Sequence, residues 1–146
     1  MTKIVEELNQ IQIDVHAMYV KLHNHHWSVQ GLQFFSLHNL TEDLYDEMSD
    51  LFDETAERAL QIGGKPITCL KTMAEKTKIK PETRENFDAK DVLKSTLADF
   101  EYLRKSFVKL SDVANEANDK GTVGFADENI AKLEKHIWMI KTSLAK

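Results

Sequence analysis

The first half of the chain contains two long stretches in which hydrophobic residues recur at helical spacing. In the first stretch, alternating steps of four and three residues separate Ile4, Leu8, Ile11, Val15, Met18 and Leu22. This period predicts an amphipathic helix from Ile4 to about Val29, ended by Gly31. A second predicted helix has Ser36 as its N-cap and ends at Gly63-Gly64. Its apolar positions are Leu37, Leu40, Leu44, Met48, Leu51 and Ile62.

The second half of the chain predicts two more amphipathic helices. The third starts at the N-cap Asp88 and runs towards Gly121, and its apolar positions are Leu93, Leu97, Phe100, Phe107, Leu110 and Ala114. The fourth follows Asp127, and its apolar positions are Ile130, Leu133, Ile137, Ile140 and Leu144. Four long amphipathic helices imply a four-helix bundle.

The connection between the second and third predicted helices decides the topology. It extends from Gly64 to Phe87, and Pro66 and Pro81 bracket a segment, residues 67–78, that can form a short helix. Short first and last connections around a long middle one are the ferritin-like arrangement among bundles. We therefore predict an all-α, ferritin-like four-helix bundle with a short helix in this connection. The length of 146 residues favours a single domain, residues 1–146.

Composition and charge narrow the function classes. Five Gly and two Pro are few for an all-β chain, which supports the helical prediction. The net charge of −5 makes attraction to nucleic acid or an anionic membrane unexpected without a local basic patch. The single Cys69 cannot form an intramolecular disulfide, and no signal-peptide pattern or membrane-spanning run is present in the sequence. These features predict a cytoplasmic protein.

A stripe of acidic residues lies on the second predicted helix. Asp46, Asp50, Asp53 and Glu57 follow one another at steps of four, three and four, so they share one face opposite the leucines. A solvated face is the ordinary explanation, and it is preferred for a monomeric bundle. However, the stripe contains no Lys or Arg, so its acids repel one another, and bound cations can offset this repulsion.

Four of the six histidines fall within sixteen residues, at His23, His25, His26 and His38. Imidazole and carboxylate ligands suit iron, zinc or manganese, whereas calcium prefers oxygen alone. For His23 and His25 we expect a hydrogen-bonded structural role or a surface position instead. The Glu-x-x-His pairs of a bundle-core di-iron site are absent from the sequence.

Distance along the second helix restricts any site that combines these histidines with the acids. Asp53 and Glu57 lie about 22–28 Å from His38 at the helical rise of 1.5 Å per residue. One chain cannot bring these residues together, because all three lie on one continuous helix. A site that contains them requires a second subunit.

Two motifs make the chain resemble the Dps family of ferritin-like mini-cages. The first comprises His26-Trp27-Ser28-Val29-Gln30-Gly31 with Leu37-His38 and Glu42, and the second comprises Phe52-Asp53-Glu54-Thr55-Ala56-Glu57-Arg58 with Gly63 and Pro66. Thr55 stands where the family usually has an aliphatic residue. The likeness extends over the whole chain and includes Lys135-His136-Ile137-Trp138-Met139 near its end.

The resemblance implies a hollow homo-dodecamer with ferroxidase sites at its two-fold interfaces. In each site, His26 and His38 from one subunit and Asp53 and Glu57 from its partner would bind iron, with Glu57 as the bridging carboxylate. Trp27, beside His26, looks like the family's tryptophan next to the iron, which is an electron donor.

By the same resemblance, the protein would oxidise Fe(II), with hydrogen peroxide as the preferred oxidant, and store the Fe(III) as mineral against oxidative stress. Asp46 and Asp50 would face the cavity and nucleate the mineral. Asp119 and Asp127 are candidates for acidic entry pores near the start of the last helix. They are equally well explained as a loop residue and a helix N-cap, respectively.

Two alternatives remain at the level of the sequence. A DNA-compacting Dps protein is one, although Lys3 is the only basic residue among the first ten and the chain ends with only Lys141 and Lys146 in its last six residues. Non-specific DNA affinity comes mostly from phosphate neutralisation, so these lysines are too sparse to favour it. The other alternative is a helical interaction module without catalytic metal, in which the acidic stripe is solvated and the histidines are structural.

Overall fold

A computed structural model describes residues 2–146 and contains five helices within that range. They are α1 (Thr2–Ser28), α2 (Phe34–Gln61), α3 (Leu70–Lys76), α4 (Ala89–Glu116) and α5 (Lys120–Leu144). Helix α1 packs mainly against α2, α4 packs mainly against α5, and α1 also contacts α4. The prediction of four long helices with a short helix in the long connection is confirmed. None of the five helices is long and apolar enough to span a bilayer.

The predicted hydrophobic stripes form the core of the bundle. All six stripe residues of α1 are at most 1% exposed, and on α4 Phe100, Phe107 and Leu110 are completely buried. Each such side chain contributes about 1.5–3 kcal/mol to stability through removal of apolar surface from water. Stripe residues at the margin of the core are only partly buried, namely Leu40, Ile62, Leu97, Ile130 and Leu144.

Helix α2 begins earlier than predicted. Ser36 lies inside its first turn rather than at the N-cap, which is Gln33. The cause is Gly31, whose φ of +110° reverses the chain so that the Phe34 amide already donates to the Gly31 carbonyl at 3.1 Å. The turn between α1 and α2 is therefore shorter than the position of Ser36 implies.

The boundary between α4 and α5 also differs from the prediction. Helix α4 ends at Glu116, and Asn118 adopts a left-handed conformation with φ of +57°, which separates the two helices. Asp119 is the N-cap of α5, and its side chain accepts a hydrogen bond from the Thr122 amide. The alternative N-cap role for Asp127 is wrong, because this residue lies inside α5. By contrast, Asp88 caps α4 as predicted, in a capping box with Asp91.

Polar side chains of α1 hold the long connection against the bundle. Gln12 is buried and forms two hydrogen bonds with the Ile67 backbone, at 2.8 Å to its carbonyl oxygen and 2.9 Å from its amide. Further amides donate to carbonyls of the connection: Asn9 to Lys65, Gln10 to Lys76, and Asn24 to both Glu82 and Arg84. The connection therefore follows α1 closely.

Asp14 is a completely buried carboxylate that joins three parts of the fold. Its Oδ1 accepts hydrogen bonds from the Thr77 hydroxyl at 2.8 Å and the Lys78 amide at 2.9 Å. Its Oδ2 accepts one from the Tyr102 hydroxyl of α4 at 2.6 Å, and Gln10 of α1 donates at 3.2 Å. Asp14 thus ties α1 to the connection and to α4.

His25 is a core residue near the end of α1. It is 1% exposed, its ring meets the Phe87 ring edge-on with the centroids 4.7 Å apart, and neither ring nitrogen has a hydrogen-bond partner within residues 2–146. The expectation of a hydrogen-bonded or surface histidine is therefore wrong for His25. Burial, reinforced by the charge of Lys21, lowers its pKa from 6.5 to about 4.

Replacement of Asp14 is expected to destabilise the fold. The Asp14→Ala variant should lose about 3 kcal/mol or more, because it leaves buried donors on three segments without an acceptor. Asp14→Asn should lose less, because its amide keeps the volume and one acceptor. Urea denaturation followed by circular dichroism, with assembly state matched, measures both. An alanine variant as stable as the parent would contradict this role.

The burial of His25 predicts a pH dependence of stability in the metal-free protein. The unfolded chain protonates His25 below pH 6.5, but the folded chain does so only near pH 4, so the unfolded state binds more protons between these values. The stabilisation is complete above pH 6.5 and is lost as the pH falls towards 4, by up to about 3 kcal/mol. His25→Phe should flatten this dependence in urea denaturation at pH 7 and pH 4.5.

The control is the half-buried His16. His16→Gln should keep the parent's pH dependence, because it leaves His25 intact. A His25→Phe variant that still lost the full stability on acidification would contradict the assignment.

Candidate metal centre

His26 and His38 come together where α1 ends and α2 begins. Their rings stack with centroids 3.6 Å apart and planes 16° apart. The Nδ1 atom of His26 lies 2.7 Å from the His38 carbonyl oxygen, and that of His38 lies 2.8 Å from the His26 carbonyl oxygen. A carbonyl oxygen only accepts, so each Nδ1 carries the proton, and each neutral ring keeps a lone pair on Nε2. Two imidazole nitrogens are thereby available to a metal ion, in rings oriented by their other nitrogen.

Neighbouring residues restrict this pair further. The buried Thr41 hydroxyl lies 3.1 Å from His26 Nδ1 and donates to the Leu37 carbonyl at 2.7 Å. Phe34 stacks on the outer side of His38, with ring centroids 5.0 Å apart. His26 itself is only 6% exposed. The ring orientations are therefore set by packing as well as by hydrogen bonds.

A backbone bridge fixes the end of α1, which carries His26. Val29 and Phe87 form an isolated parallel bridge, in which the Gln30 amide donates to the Phe87 carbonyl at 2.8 Å and the Phe87 amide donates to the Ser28 carbonyl at 3.3 Å. The long connection is thus bonded through Phe87 to the backbone of Ser28 and Gln30, shortly after His26.

The four acids of the α2 stripe are exposed. Within residues 2–146, no side chain forms a hydrogen bond or ion pair with Asp46, Asp50, Asp53 or Glu57, and the opposite face carries the buried Leu51 and Thr55. The structure therefore brings His26 and His38 together but leaves Asp53 and Glu57 near the other end of α2. Across residues 2–146, no three His, Cys, Asp or Glu side chains lie close enough to hold a metal ion.

Glu54 lies beside the stripe acid Asp53 on α2. Burial raises the pKa of Glu54, and the charges of Asp50, Glu128 and Asp53 raise it further against the opposing charge of Lys132. Burial is the largest of these causes, and the acids act against the single nearby cation Lys132.

An aromatic cluster borders the histidine pair. His23 is stacked on Tyr45 with centroids 3.8 Å apart, lies 5.2 Å from the exposed Trp27, and hydrogen-bonds through Nδ1 to the Tyr19 carbonyl at 2.7 Å. These contacts confirm the structural role expected for His23. Tyr45 also meets His26 edge-on at 5.2 Å, and the sequence analysis missed it. Its signal was its position seven residues after His38, on the same face of α2.

Both candidate pore residues are engaged within the chain. The Asp119 carboxylate accepts hydrogen bonds from Arg58 at 2.9 Å and from the amide and hydroxyl of Thr122 at 3.1 and 2.5 Å. Asp119 is therefore a helix N-cap and not the ordinary loop residue that the sequence suggested as the alternative. Asp127 is exposed on α5 and accepts a hydrogen bond from Ser111 of α4 at 2.6 Å.

Comparison with known proteins places the whole chain in one family. The family model described as a ferritin-like domain matches residues 5–146. A DNA protection during starvation protein of Helicobacter pylori (strain J99) is 41% identical over 143 residues, which cover 98% of this chain and 99% of that protein.

Solved structures agree with this sequence match. The crystal structure of a Dps protein from Bacillus brevis superposes with a TM-score of 0.94 at 40% identity, covering 99% of this chain and 96% of that chain. A Dps protein from Vibrio cholerae O1, described as a member of a broad superfamily of ferritin-like diiron-carboxylate proteins, has a TM-score of 0.94 at 26% identity, covering 99% and 90%. The predicted ferritin-like fold is confirmed, and the chain belongs to the Dps group of the ferritin-like family.

Proposed function

We propose that this chain is the subunit of a hollow homo-dodecamer that oxidises Fe(II) and stores the product as Fe(III) mineral. Membership of the Dps group supports the general role in iron storage and protection. The observation that carries the specific proposal is the reciprocal His26–His38 pair, whose two Nε2 atoms are prepared for a metal. The reaction makes the protein a ferroxidase, with iron as its substrate.

Each iron site is shared between two copies of the chain. His26 and His38 come from one copy, and Asp53 and Glu57 come from its neighbour, with Glu57 bridging two Fe(II) ions. The support is the length of α2, which separates the two pairs by about 22–28 Å within one chain. Imidazole and carboxylate ligands together suit Fe(II), and the carboxylate charge stabilises Fe(III).

The oxidant in this proposal is hydrogen peroxide. Two Fe(II) ions lose one electron each, and peroxide takes both electrons and two protons to give two water molecules. Because the two electrons leave together, no hydroxyl radical is released. Trp27, exposed beside His26, would supply an electron when only one Fe(II) is bound.

The remaining acidic residues serve the product and the entry path in this proposal. Asp46 and Asp50 face the cavity and nucleate the mineral, and both are exposed as this role requires. Iron enters near the start of α5, where Asp127 is the more exposed of the two candidate residues. The enzyme acts in the cytoplasm.

DNA binding and a metal-free interaction role are not part of the proposal. The net charge of −5 opposes phosphate binding, and Lys141 of α5 is paired with Glu101 at 3.3 Å. If the protein retarded DNA in a gel shift at low salt and neutral pH, DNA binding would have to be added to the proposed function. Two observations argue against a metal-free interaction role. The histidine pair is oriented through Nδ1, and the exposed stripe acids form no ion pair within residues 2–146.

Loss of either carboxylate ligand should abolish rapid iron oxidation. Asp53→Ala and Glu57→Ala are expected to slow it by at least about tenfold with assembly intact, because a ligand of the iron is removed. The measurement is optical absorbance after Fe(II) is added anaerobically and peroxide follows. His23→Ala is the control and should oxidise iron nearly normally. An unchanged rate in the carboxylate variants would refute the site.

Mixed assemblies test whether the site is shared. His26→Ala and Glu57→Ala chains, each inactive alone, are co-expressed with different affinity tags, and the mixed particles are isolated on both. With equal amounts, about a quarter of the sites combine intact histidines with intact carboxylates, so about a quarter of the parent's rate should return.

A site formed within one chain would give no recovery in this experiment. The assembly mass is the accompanying measurement: light scattering should give about 200 kDa, as twelve chains of 16.8 kDa require. A monomer would contradict both the cage and the shared site.

A further inference from the structure

Arg58 connects the last turns of α2 to the start of α5. Its guanidinium donates through Nε to the Thr122 hydroxyl at 2.9 Å, through Nη2 to Asp119 Oδ1 at 2.9 Å, and through Nη1 to Gln61 Oε1 at 3.0 Å. The Arg58 side chain is only 21% exposed and that of Asp119 only 12%. These three hydrogen bonds point in different directions and together hold the guanidinium in a single position.

The surroundings are shaped to receive this guanidinium. A Cβ atom added at Gly121 would lie 2.6 Å from Arg58 Nη2, so the absence of a side chain there allows the close approach. Although burial alone would raise the pKa of Asp119, hydrogen bonds from Thr122 and the charge of Arg58 lower it below its usual value. Asp119 is therefore a charged partner of Arg58.

Arg58 follows Glu57 directly in the sequence, close to the end of α2. The last carbonyls of a helix have no partners within it, so terminal turns fray unless other contacts hold them. Glu57 is exposed, and no side chain within residues 2–146 holds its carboxylate. A metal ligand must keep its position within about 0.5 Å, and this precision has to come from neighbours of Glu57.

The contacts of Arg58 with Asp119 and Thr122, here called the Arg58 clamp, also determine where the positive charge of Arg58 lies. The Arg58 guanidinium is bonded to Asp119 and Thr122 on α5, so its positive charge is compensated there. A released guanidinium could instead reach the acidic face of α2, where Glu54 lies one turn before it, and would weaken the attraction of this face for a cation.

We propose that Arg58 is a positioning residue for Glu57: by fixing the last turns of α2 against α5, it holds the bridging carboxylate in place for iron. This inference rests on the proposed function of Glu57 as an iron ligand. It also assigns Asp119 to this clamp instead of to an entry pore.

The test uses the assembled protein with Arg58→Gln and Arg58→Lys. Zinc(II), a redox-inert probe, is titrated by calorimetry, and the Fe(II) dependence of initial oxidation rates separates KM from kcat. Arg58→Gln should weaken zinc binding and raise KM for Fe(II) by about 10–100-fold, as loss of an orienting residue does at metal sites. Arg58→Lys should recover part of the affinity, because it restores the charge pair with Asp119.

The matched control is Arg104→Gln. Arg104 of α4 also pairs with a carboxylate on α5, Glu134, at 2.9 Å, but it is remote in sequence from the proposed ligands. This variant should bind zinc as the parent does. If it weakened zinc binding as strongly as Arg58→Gln, the effect would be general loss of helix packing, and the positioning role would be overturned.

Each remaining outcome is also decisive. An assembled Arg58→Gln variant with the parent's zinc affinity and KM overturns the positioning role. If Arg58→Gln fails to assemble, Thr122→Val decides, because it removes the hydroxyl's hydrogen bonds with Arg58 and Asp119 and keeps the ion pair between them. A few-fold weaker zinc binding supports the role, and unchanged binding overturns it. Glu57→Ala separates the positioning role of Arg58 from the ligand role of Glu57. Unchanged zinc binding in Glu57→Ala would refute Glu57 as a metal ligand.

Discussion

The length of α2, a single unbroken helix, is the constraint on which the arrangement of the molecule depends. A helix of 28 residues rises about 42 Å, so His38 in its first turns and Glu57 in its last turns stay far apart. Each end must therefore be oriented by different neighbours. At the first end, His26 and His38 exchange hydrogen bonds between Nδ1 and backbone carbonyls. At the last end, Arg58 joins the helix to α5.

This constraint gives the proposed shared site a simple symmetry. One helix presents a histidine half-site at its start and a carboxylate half-site at its end. If two copies pair about a two-fold axis with their α2 helices antiparallel, the start of each helix meets the end of the other, and two equal sites form at once. The fold of one chain then needs to provide only two rigid half-sites. The hydrogen bonds around His26, Thr41 and Arg58 provide this rigidity.

The long connection links core packing to the histidines. Gln12 and Asp14, both buried on α1, hold the connection by its backbone and side chains. The connection in turn carries Phe87 to Val29, where its backbone ends α1 beside His26. Disturbing these buried polar contacts would therefore affect the orientation of a residue that lies twelve positions or more away along the chain.

Local pattern accounts for what could be predicted, and contacts between distant segments account for the rest. The hydrophobic stripes predicted the core because the helical period is a property of neighbouring residues, and the resemblance to the Dps family implied that His26 and His38 of one chain lie in one site. Helix ends were missed where backbone conformation decided, at Gly31 and Asn118. The burial of His25 depends on Phe87, 62 positions further on, and Arg58 finds its partners 61 and 64 positions away, which no local spacing reveals.

The distribution of charge explains why the acidic face of α2 differs from an ordinary solvated surface. Several acids elsewhere are paired across helices, as in Lys21 with Asp99 and Lys109 with Glu7. The four stripe acids have no such pairs within residues 2–146, so their mutual repulsion is uncompensated. An arginine follows this stripe, but its charge is directed to Asp119 on α5. The charge of Arg58 is thus directed to α5 and not to the carboxylates of the stripe.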